Sequence, residues 1–270
     1  MHPMLNIAIR AARSAGNIIS RYADQVDTLT ITEKSHNDFV SEVDKRAEQE
    51  IIQVIQKAFP NHGIIAEESG YHEGKEDFEW IIDPLDGTTN FLYGFPQFAV
   101  SIGVRHKGRL SQAVVYDPIR QELFSASRGQ GAKLNDRRIR VTARKDLRGA
   151  LIGTGIPFRE NQQGEFMNAY FEMMKALIPG SAGIRRAGSA ALDLAYVAAG
   201  RLDCFWEFDL SIWDMAAGVL LIEEAGGIVS GVTGNPDYME TGHIVAGNPK
   251  ILKSVLQTIK PHLPEGKKFK

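Results

Sequence analysis

Cysteine is nearly absent from this chain: Cys204 is the single one in 270 residues, so no internal disulfide can form. A lone thiol fits a reducing compartment, and the expected location is the cytoplasm. Cys204 stands among Leu202, Phe205 and Trp206, which suits a small buried hydrophobe better than a nucleophile. An excess of either charge is missing too, since 31 basic and 33 acidic residues leave a formal net charge of −2. That balance argues against non-specific binding to nucleic acid or to an anionic membrane surface. No apolar run reaches the length of a membrane span. Arg10 and Arg13 break up the N-terminal apolar positions, so no signal-peptide core is expected. Cys and His show no zinc-type spacing, and there is no internal repeat or low-complexity tract. His36, His62, His72, His106 and His243 are scattered and read as non-catalytic. What remains is an ordinary globular composition, 43% hydrophobic and 24% charged, long enough for one large domain or two small ones.

Periodicity divides the chain near residue 146. Pro3 to about Ala23 and Val43 to Phe59 carry apolar residues at helical spacing, and Pro60 stops the second helix. Ala99 to Val104, Leu110 to Tyr116 and Glu122 to Ala126 read as strands of an antiparallel meander, broken by turns at Lys107-Gly108, Asp117-Pro118 and Gly129-Gln130-Gly131. Beyond Leu147 the texture changes. Leu151 to Gly153, Cys204 to Glu207, Gly227 to Val229 and Ile244 to Ala246 read as strands. Tyr170 to Leu177, Ala190 to Ala199, Met215 to Glu224 and Pro249 to Ile259 read as helices. The expected class is α/β, with an α+β half over 1–146 and an α/β half over 147–270.

The chemistry concentrates in Trp80-Ile81-Ile82-Asp83-Pro84-Leu85-Asp86-Gly87-Thr88-Thr89-Asn90-Phe91. An apolar strand leads into two carboxylates three residues apart. Pro84 is expected to end the strand, and Asp86 to cap a helix that opens at Gly87 and Thr88. Such a bend gathers anionic ligands for a hard cation and backbone N–H groups for a phosphate. On its own an Asp-Pro-x-Asp-Gly string is most often a turn. Companions raise its meaning: Glu67-Glu68-Ser69-Gly70 ends another apolar run, and Trp213-Asp214 opens a helical segment. Acids at strand ends and helix starts converge at one sheet edge in open α/β folds.

Ala66-Glu67-Glu68-Ser69, Asp83 to Phe91 and Trp213-Asp214-Met215-Ala216-Ala217-Gly218 resemble the three metal-site signatures of the inositol monophosphatase family, in its order and roughly at its spacing. Arg185-Arg186-Ala187-Gly188-Ser189 through Gly200 is similar to the bacterial SuhB-type members. The resemblance implies a layered α-β-α-β-α sandwich and a Mg²⁺-dependent phosphatase, with Mn²⁺ as the alternative ion. It implies that Glu67, Asp83 and the Leu85 carbonyl hold one ion and that Asp83, Asp86 and Asp214 hold a second. Lys34 and Asp38 fall in the family's mobile loop, which carries an additional metal. Thr88 would pass a proton from the attacking water, its hydroxyl held by Asp44. Gly87 and Thr88 would meet the phosphate. Gly188, Ser189, Ala190, Glu207 and Asp214 would hold the alcohol. Asp193 is read as helix-facing and structural.

The expected reaction is hydrolysis of inositol-1-phosphate, a small phosphorylated polyol, by two- or three-metal-assisted water attack, with sensitivity to Li⁺. Fructose-1,6-bisphosphate and a nucleotide 3′-phosphate are the alternative substrates. A non-catalytic role in ribosomal RNA transcription antitermination, through contacts with the transcription machinery, is the alternative of another class. The resemblance also implies a homodimer, with Ile156-Pro157-Phe158 and Arg185-Arg186 as the candidate interface.

Overall fold

Small residues decide how closely the first helix can pack. α1 (Pro3–Tyr22) has Pro3 in its first turn and buries Ala8, Ala11, Ala12, Ala15 and Ile19 on one side. The structure, a computed structural model, describes residues 2–23, 25, 31–35, 38–157 and 165–263. His36, the side chains of Lys34 and Asp38, Phe158 and the terminal Lys267-Lys268-Phe269-Lys270 run lie outside that description. A hairpin of β1 (Ile31–Ser35) and β2 (Asp38–Ser41) leads into α2 (Glu42–Ala58). Ser41 caps α2 by accepting from the Val43 N–H, while Asp44 accepts from the Ser41 N–H in return.

The next strands are β3 (Gly63–Ala66), β4 (Gly70–His72), β5 (Phe78–Asp86), β6 (Ala99–His106), β7 (Arg109–Asp117), β8 (Glu122–Ser127), β9 (Gly131–Leu134) and β10 (Arg137–Arg138). They form an eight-stranded sheet in the order β10-β9-β8-β7-β6-β5-β3-β4, antiparallel except for the β3–β5 pair. A one-turn helix, α3 (Thr88–Leu92), follows β5. The second sheet takes β11 (Ala150–Thr154), β12 (Ser181–Arg185), β13 (Cys204–Glu207), β14 (Ile228–Ser230) and β15 (Ile244–Gly247), in the order β12-β11-β13-β15-β14. Its helices are α4 (Glu165–Leu177), α5 (Ala190–Ala198), α6 (Ile212–Glu224), the short α7 (Tyr238–Thr241) and α8 (Pro249–Ile259).

Strand alternation sorts side chains between layers. Trp80 and Ile82 join α1 and α2 in one core, while Ile81 between them joins α5 and α6 in another. In β13, Phe205 faces that same middle layer, and Cys204 and Trp206 face α4 and α8. The layers therefore run α1/α2, first sheet, α5/α6, second sheet, α4/α8, the α-β-α-β-α sandwich. No described helix is long and apolar enough to cross a membrane.

The middle layer is tight. A Cβ on Gly218 of α6 would lie 2.4 Å from the Leu194 Cβ of α5. Helix propensity favours Ala over Gly by about 1 kcal/mol. The overlap with Leu194 outweighs that gain, because overpacking a core costs about 1–3 kcal/mol. Gly218→Ala is therefore expected to lower stability in urea unfolding. A more stable variant would show that α5 and α6 can part at no cost.

Two local expectations need correction. Pro84 does not end β5, which continues to Asp86. The register against β6 shifts between Asp83 and Asp86, so Pro84 sits in a bulge, where its missing N–H breaks no ladder bond. Asp86 does not cap the helix that follows it. Gly87 does, at φ 95° and with no side-chain hydrogen bond.

Candidate metal centre

The ends of β3 and β5 and the starts of α5 and α6 open onto one cavity of about 470 Å³. One carboxylate oxygen from each of Asp83, Asp86 and Asp214 lies within 4.8 Å of the others. Local structure holds each in place. Asp83 Oδ1 accepts from the Leu85 N–H at 3.0 Å, a bond that closes the bulge. Asp86 Oδ2 accepts from Ser189 Oγ at 2.5 Å and from the Ala191 N–H at 2.8 Å. Asp86 thus caps a helix after all, but the helix is α5. Asp214 Oδ2 accepts from the Ser211 N–H at 2.7 Å in the first turn of α6.

These carboxylates destabilise one another. Burial, then Glu67, Asp86 and Asp214, pushes the Asp83 carboxyl well above its ordinary range. A hydrogen bond with Glu67 raises the Asp83 carboxyl further. Burial lifts Asp86 to about 6, against the opposing bonds from Ser189 and the start of α5. A group of buried carboxylates with only oxygen donors fits a hard divalent cation, which would supply the missing positive charge.

Thr88 sits beside this group. Its hydroxyl lies 2.8 Å from Asp44 Oδ1 and 3.0 Å from the Leu85 carbonyl oxygen. Asp44 is fully buried, and its other oxygen accepts from the Ser41 N–H and hydroxyl. Burial raises the Asp44 carboxyl, while Ser41 and Thr88 pull it back. At Gly87 a Cβ would come within 2.8 Å of the Gln97 carbonyl, so the left-handed bend and the close approach both require glycine.

Sequence-predicted residues of the metal side, Glu67, Asp83, Leu85, Asp86, Gly87 and Thr88, all line this cavity, and Asp44 stands behind Thr88. Gly188, Ser189, Ala190, Glu207 and Asp214 line it from the other side. The structure adds detail at residues that were not singled out or were given another role. Asn90 donates to the Gln97 and Ala187 carbonyls at 2.7 and 2.9 Å, fastening the Gly188 turn to the first sheet. Asp193, read as structural, lines the cavity as well. Arg186, whose alternatives were the ligand phosphate or a subunit partner, lines the cavity too.

Glu48, like Asn90, was not singled out. It is buried on α2, and its two oxygens accept from the Glu68 and Ser69 N–H groups at 2.8 and 2.9 Å. This fixes the turn that presents Glu67. The spacing of four from Asp44 puts both acids on one face of α2, a signal present in the sequence. Glu48→Ala is expected to weaken divalent-ion binding by roughly 10–100-fold, as loss of a group orienting a metal ligand does. Calorimetric titration with Mg²⁺ reads this directly, and unchanged affinity would leave Glu48 a purely structural acid.

A sequence profile of the inositol monophosphatase family matches residues 1–263. A protein of Pseudomonas aeruginosa named Nus factor SuhB is 59% identical over 267 residues, covering 98% of each chain. The crystal structure of extragenic suppressor protein suhB from Bartonella henselae matches with a TM-score of 0.92 at 43% identity, over 96% of this chain and 99% of that one. SaIMPase-II of Staphylococcus aureus with inositol monophosphate bound matches with a TM-score of 0.79 at 27% identity, over 97% of this chain and 95% of that one.

Proposed function

The chain belongs to the inositol monophosphatase family, as a bacterial SuhB-type member, and from that premise we propose that it hydrolyses inositol-1-phosphate to myo-inositol and phosphate with Mg²⁺. Its fold and acidic group are those of a metal-dependent phosphomonoesterase. The observation that carries the finer reading is the Asp44–Thr88 pair set directly beside the Asp83, Asp86 and Asp214 carboxylates. A relative of the same fold has been crystallised with inositol monophosphate, which supports the substrate.

In this reading Glu67, Asp83 and the Leu85 carbonyl would hold one ion, and Asp83, Asp86 and Asp214 would hold another. Bound there, Mg²⁺ lowers the pKa of a water and offsets charge on the phosphoryl oxygens. Thr88 Oγ1 takes a proton from the attacking water and passes its own to Asp44. Burial makes Asp44 a better proton acceptor than an exposed carboxylate. With no side chain at Gly87, the backbone stays open to a phosphoryl oxygen. Ser189, Ala190 and Glu207 hold the alcohol from the opposite wall. The metal side comes from the half over 1–146, and Asp214 and the alcohol side come from the half over 147–270.

Phosphate release from inositol-1-phosphate, fructose-1,6-bisphosphate and a nucleotide 3′-phosphate tests this. Inositol-1-phosphate with Mg²⁺ is expected to be the best substrate. Chelator, Ca²⁺ and Li⁺ should each suppress the reaction, Ca²⁺ because it prefers longer bonds and more ligands. Full turnover in excess chelator, or none on inositol-1-phosphate, would overturn the proposal.

A second reading has its own support, since a relative 59% identical is named a Nus factor. In that reading the protein serves ribosomal RNA transcription antitermination through protein contacts, as a homodimer. Rescue of a deletion strain by a turnover-dead variant separates this role from catalysis.

A further inference from the structure

A buried titratable ring sits at the end of the first sheet that the metal centre does not use. His62 stands between α2 and β3, where β3 and β5 begin, and Glu67 and Asp83 lie toward the other ends of those strands. Histidine is 9% exposed there. Its ring is stacked between Phe59 and Phe78, with centroids 4.7 Å away on each side. His106 of β6 stacks on the other face of Phe78 at 4.1 Å. Trp80, wholly buried on β5, donates its Nε1–H to His62 Nδ1 at 3.0 Å. The half-exposed Glu76 carboxylate lies 3.4 Å from His62 Nε2.

Trp80 dictates the tautomer. An indole is a donor only, so Nδ1 must be bare, and the neutral ring carries its proton on Nε2, toward Glu76. A charged imidazole is a donor at both nitrogens. Protonation therefore sets two N–H groups against each other across 3.0 Å, and the Trp80 donor loses its acceptor away from water. The faces of Phe59 and Phe78 offer a cation some compensation, but they supply no acceptor for Trp80. The turn between β4 and β5 covers this point. The Lys75 and Glu76 N–H groups donate to the Asn61 carbonyl at 2.7 and 3.1 Å. A Cβ on Gly74 would fall 2.1 Å from the Gly63 nitrogen, so the turn lies directly on the backbone that carries the ring.

We propose that His62 is an acid-sensitive latch: the neutral ring closes the core between α2 and β5, and the charged ring swings out toward Glu76 and water, lifting the turn at Gly74 to Glu76. The latch is independent of the phosphatase reading. Among the described residues Glu76 is the one charged group at ion-pair distance of the ring. Phe59 on the α2 side and Phe78 and Trp80 on β5 bring no charge, and His106 stands beyond Phe78. Burial holds the His62 ring below its ordinary value of 6.5, against the pull of Glu76. A group whose folded value is lowered in this way favours the neutral ring. Its contribution is fully present above 6.5 and is lost as pH falls through the folded value.

A melting curve would mix this effect with that of Asp86, whose carboxyl sits at about 6 and acts with the opposite sign, so the test is local. Nitrogen-15 NMR of the full chain, stepped from about pH 7.5 down to about pH 5, follows the Trp80 indole N–H directly. Its resonance is expected to move with a midpoint below 6.5. Its protection against hydrogen exchange should fall roughly tenfold at the acid end, and the Lys75 and Glu76 amides should lose protection with it. His62→Gln offers an oxygen acceptor that does not titrate, so it should abolish the pH dependence of the Trp80 signal. If that variant does not fold, Glu76→Gln at its half-exposed site carries the test, and the midpoint should drop once the carboxylate is gone. A Trp80 signal indifferent to pH in wild type would overturn the latch. So would one that still titrates in His62→Gln, or a midpoint that does not drop in Glu76→Gln.

Discussion

Asp83→Asn is expected to fold, to melt higher than wild type in chelator, and to lose turnover. The Asn side chain keeps the oxygen that accepts from Leu85 N–H, so the bulge survives. What disappears is a buried charge crowded by Glu67, Asp86 and Asp214. Removing it relieves the metal-free protein, and a gain of a few degrees in Tm is the expected size. The same change deletes the one carboxylate assigned to both ions. Several kcal/mol of transition-state stabilisation go with it, a loss of roughly 10³-fold in rate. Mg²⁺ should then no longer raise Tm. Scanning fluorimetry with and without Mg²⁺, beside a phosphate-release assay, reads all three effects. An active variant would remove Asp83 from the centre, and a less stable metal-free variant would contradict the repulsion.

The pH dependence has a definite sign. Asp83 and Asp86 hold protons more tightly in the folded state than their ordinary value of 3.8. Their contribution is fully present below that value and is lost as pH rises through the folded pKa. For Asp86, shifted to about 6, the loss accumulates between roughly pH 4 and 6 and amounts to about 3 kcal/mol. In chelator, Tm should therefore fall across that window, and Asp83→Asn should flatten the fall above it.

The second large effect separates two residues that share a bond. Asp44→Ala strips acceptors from the Ser41 N–H, the Ser41 hydroxyl and the Thr88 hydroxyl, all at the buried start of α2. A destabilisation of roughly 2–4 kcal/mol is expected. Thr88→Ala leaves that cap intact and should scarcely move Tm. Both variants should lose kcat by roughly 10²–10⁴-fold with little change in KM, since both act on the water. In the double variant the rate losses should not add, because either single change already breaks the relay. Additive losses would mean that the two act separately.

The sequence displayed the metal side more plainly than the alcohol side. Asp83, Asp86, Thr88 and Asp44 are local to β5, α3 and the α2 cap, where an apolar run and a capping pattern point to them. Asp86 illustrates the limit. Its carboxylate suited an N-cap, but its partner helix begins at Ala190, and no periodicity connects the two. Proline bent the reading of β5 because the rule against Pro in strands carries an exception at bulges, which depends on the pairing partner. The β1–β2 hairpin, β9 and β12 went unpredicted for the same reason. β12 reads Ser-Ala-Gly-Ile-Arg, with weak strand propensity, and owes its extended form to parallel pairing with β11. Glu48 shows a third limit: its spacing from Asp44 was visible, but its bonds to the Glu68 and Ser69 N–H groups come from a turn twenty residues away.

The reach of Asp86 ties the first sheet to the middle layer. The bond from its oxygen to the Ala191 N–H spans 105 positions of chain and crosses from the first sheet to the middle layer. An acceptor that also faces a cation gives up part of its electron density, so an arriving ion loosens its hold on the helix. Hydrogen exchange at the Ala191 amide is expected to speed up on metal loading even as the protein as a whole grows harder to unfold. Slower exchange there would show that the ion tightens the joint instead. If the helix responds to the ion in this way, the change would extend along α5, which also carries Asp193.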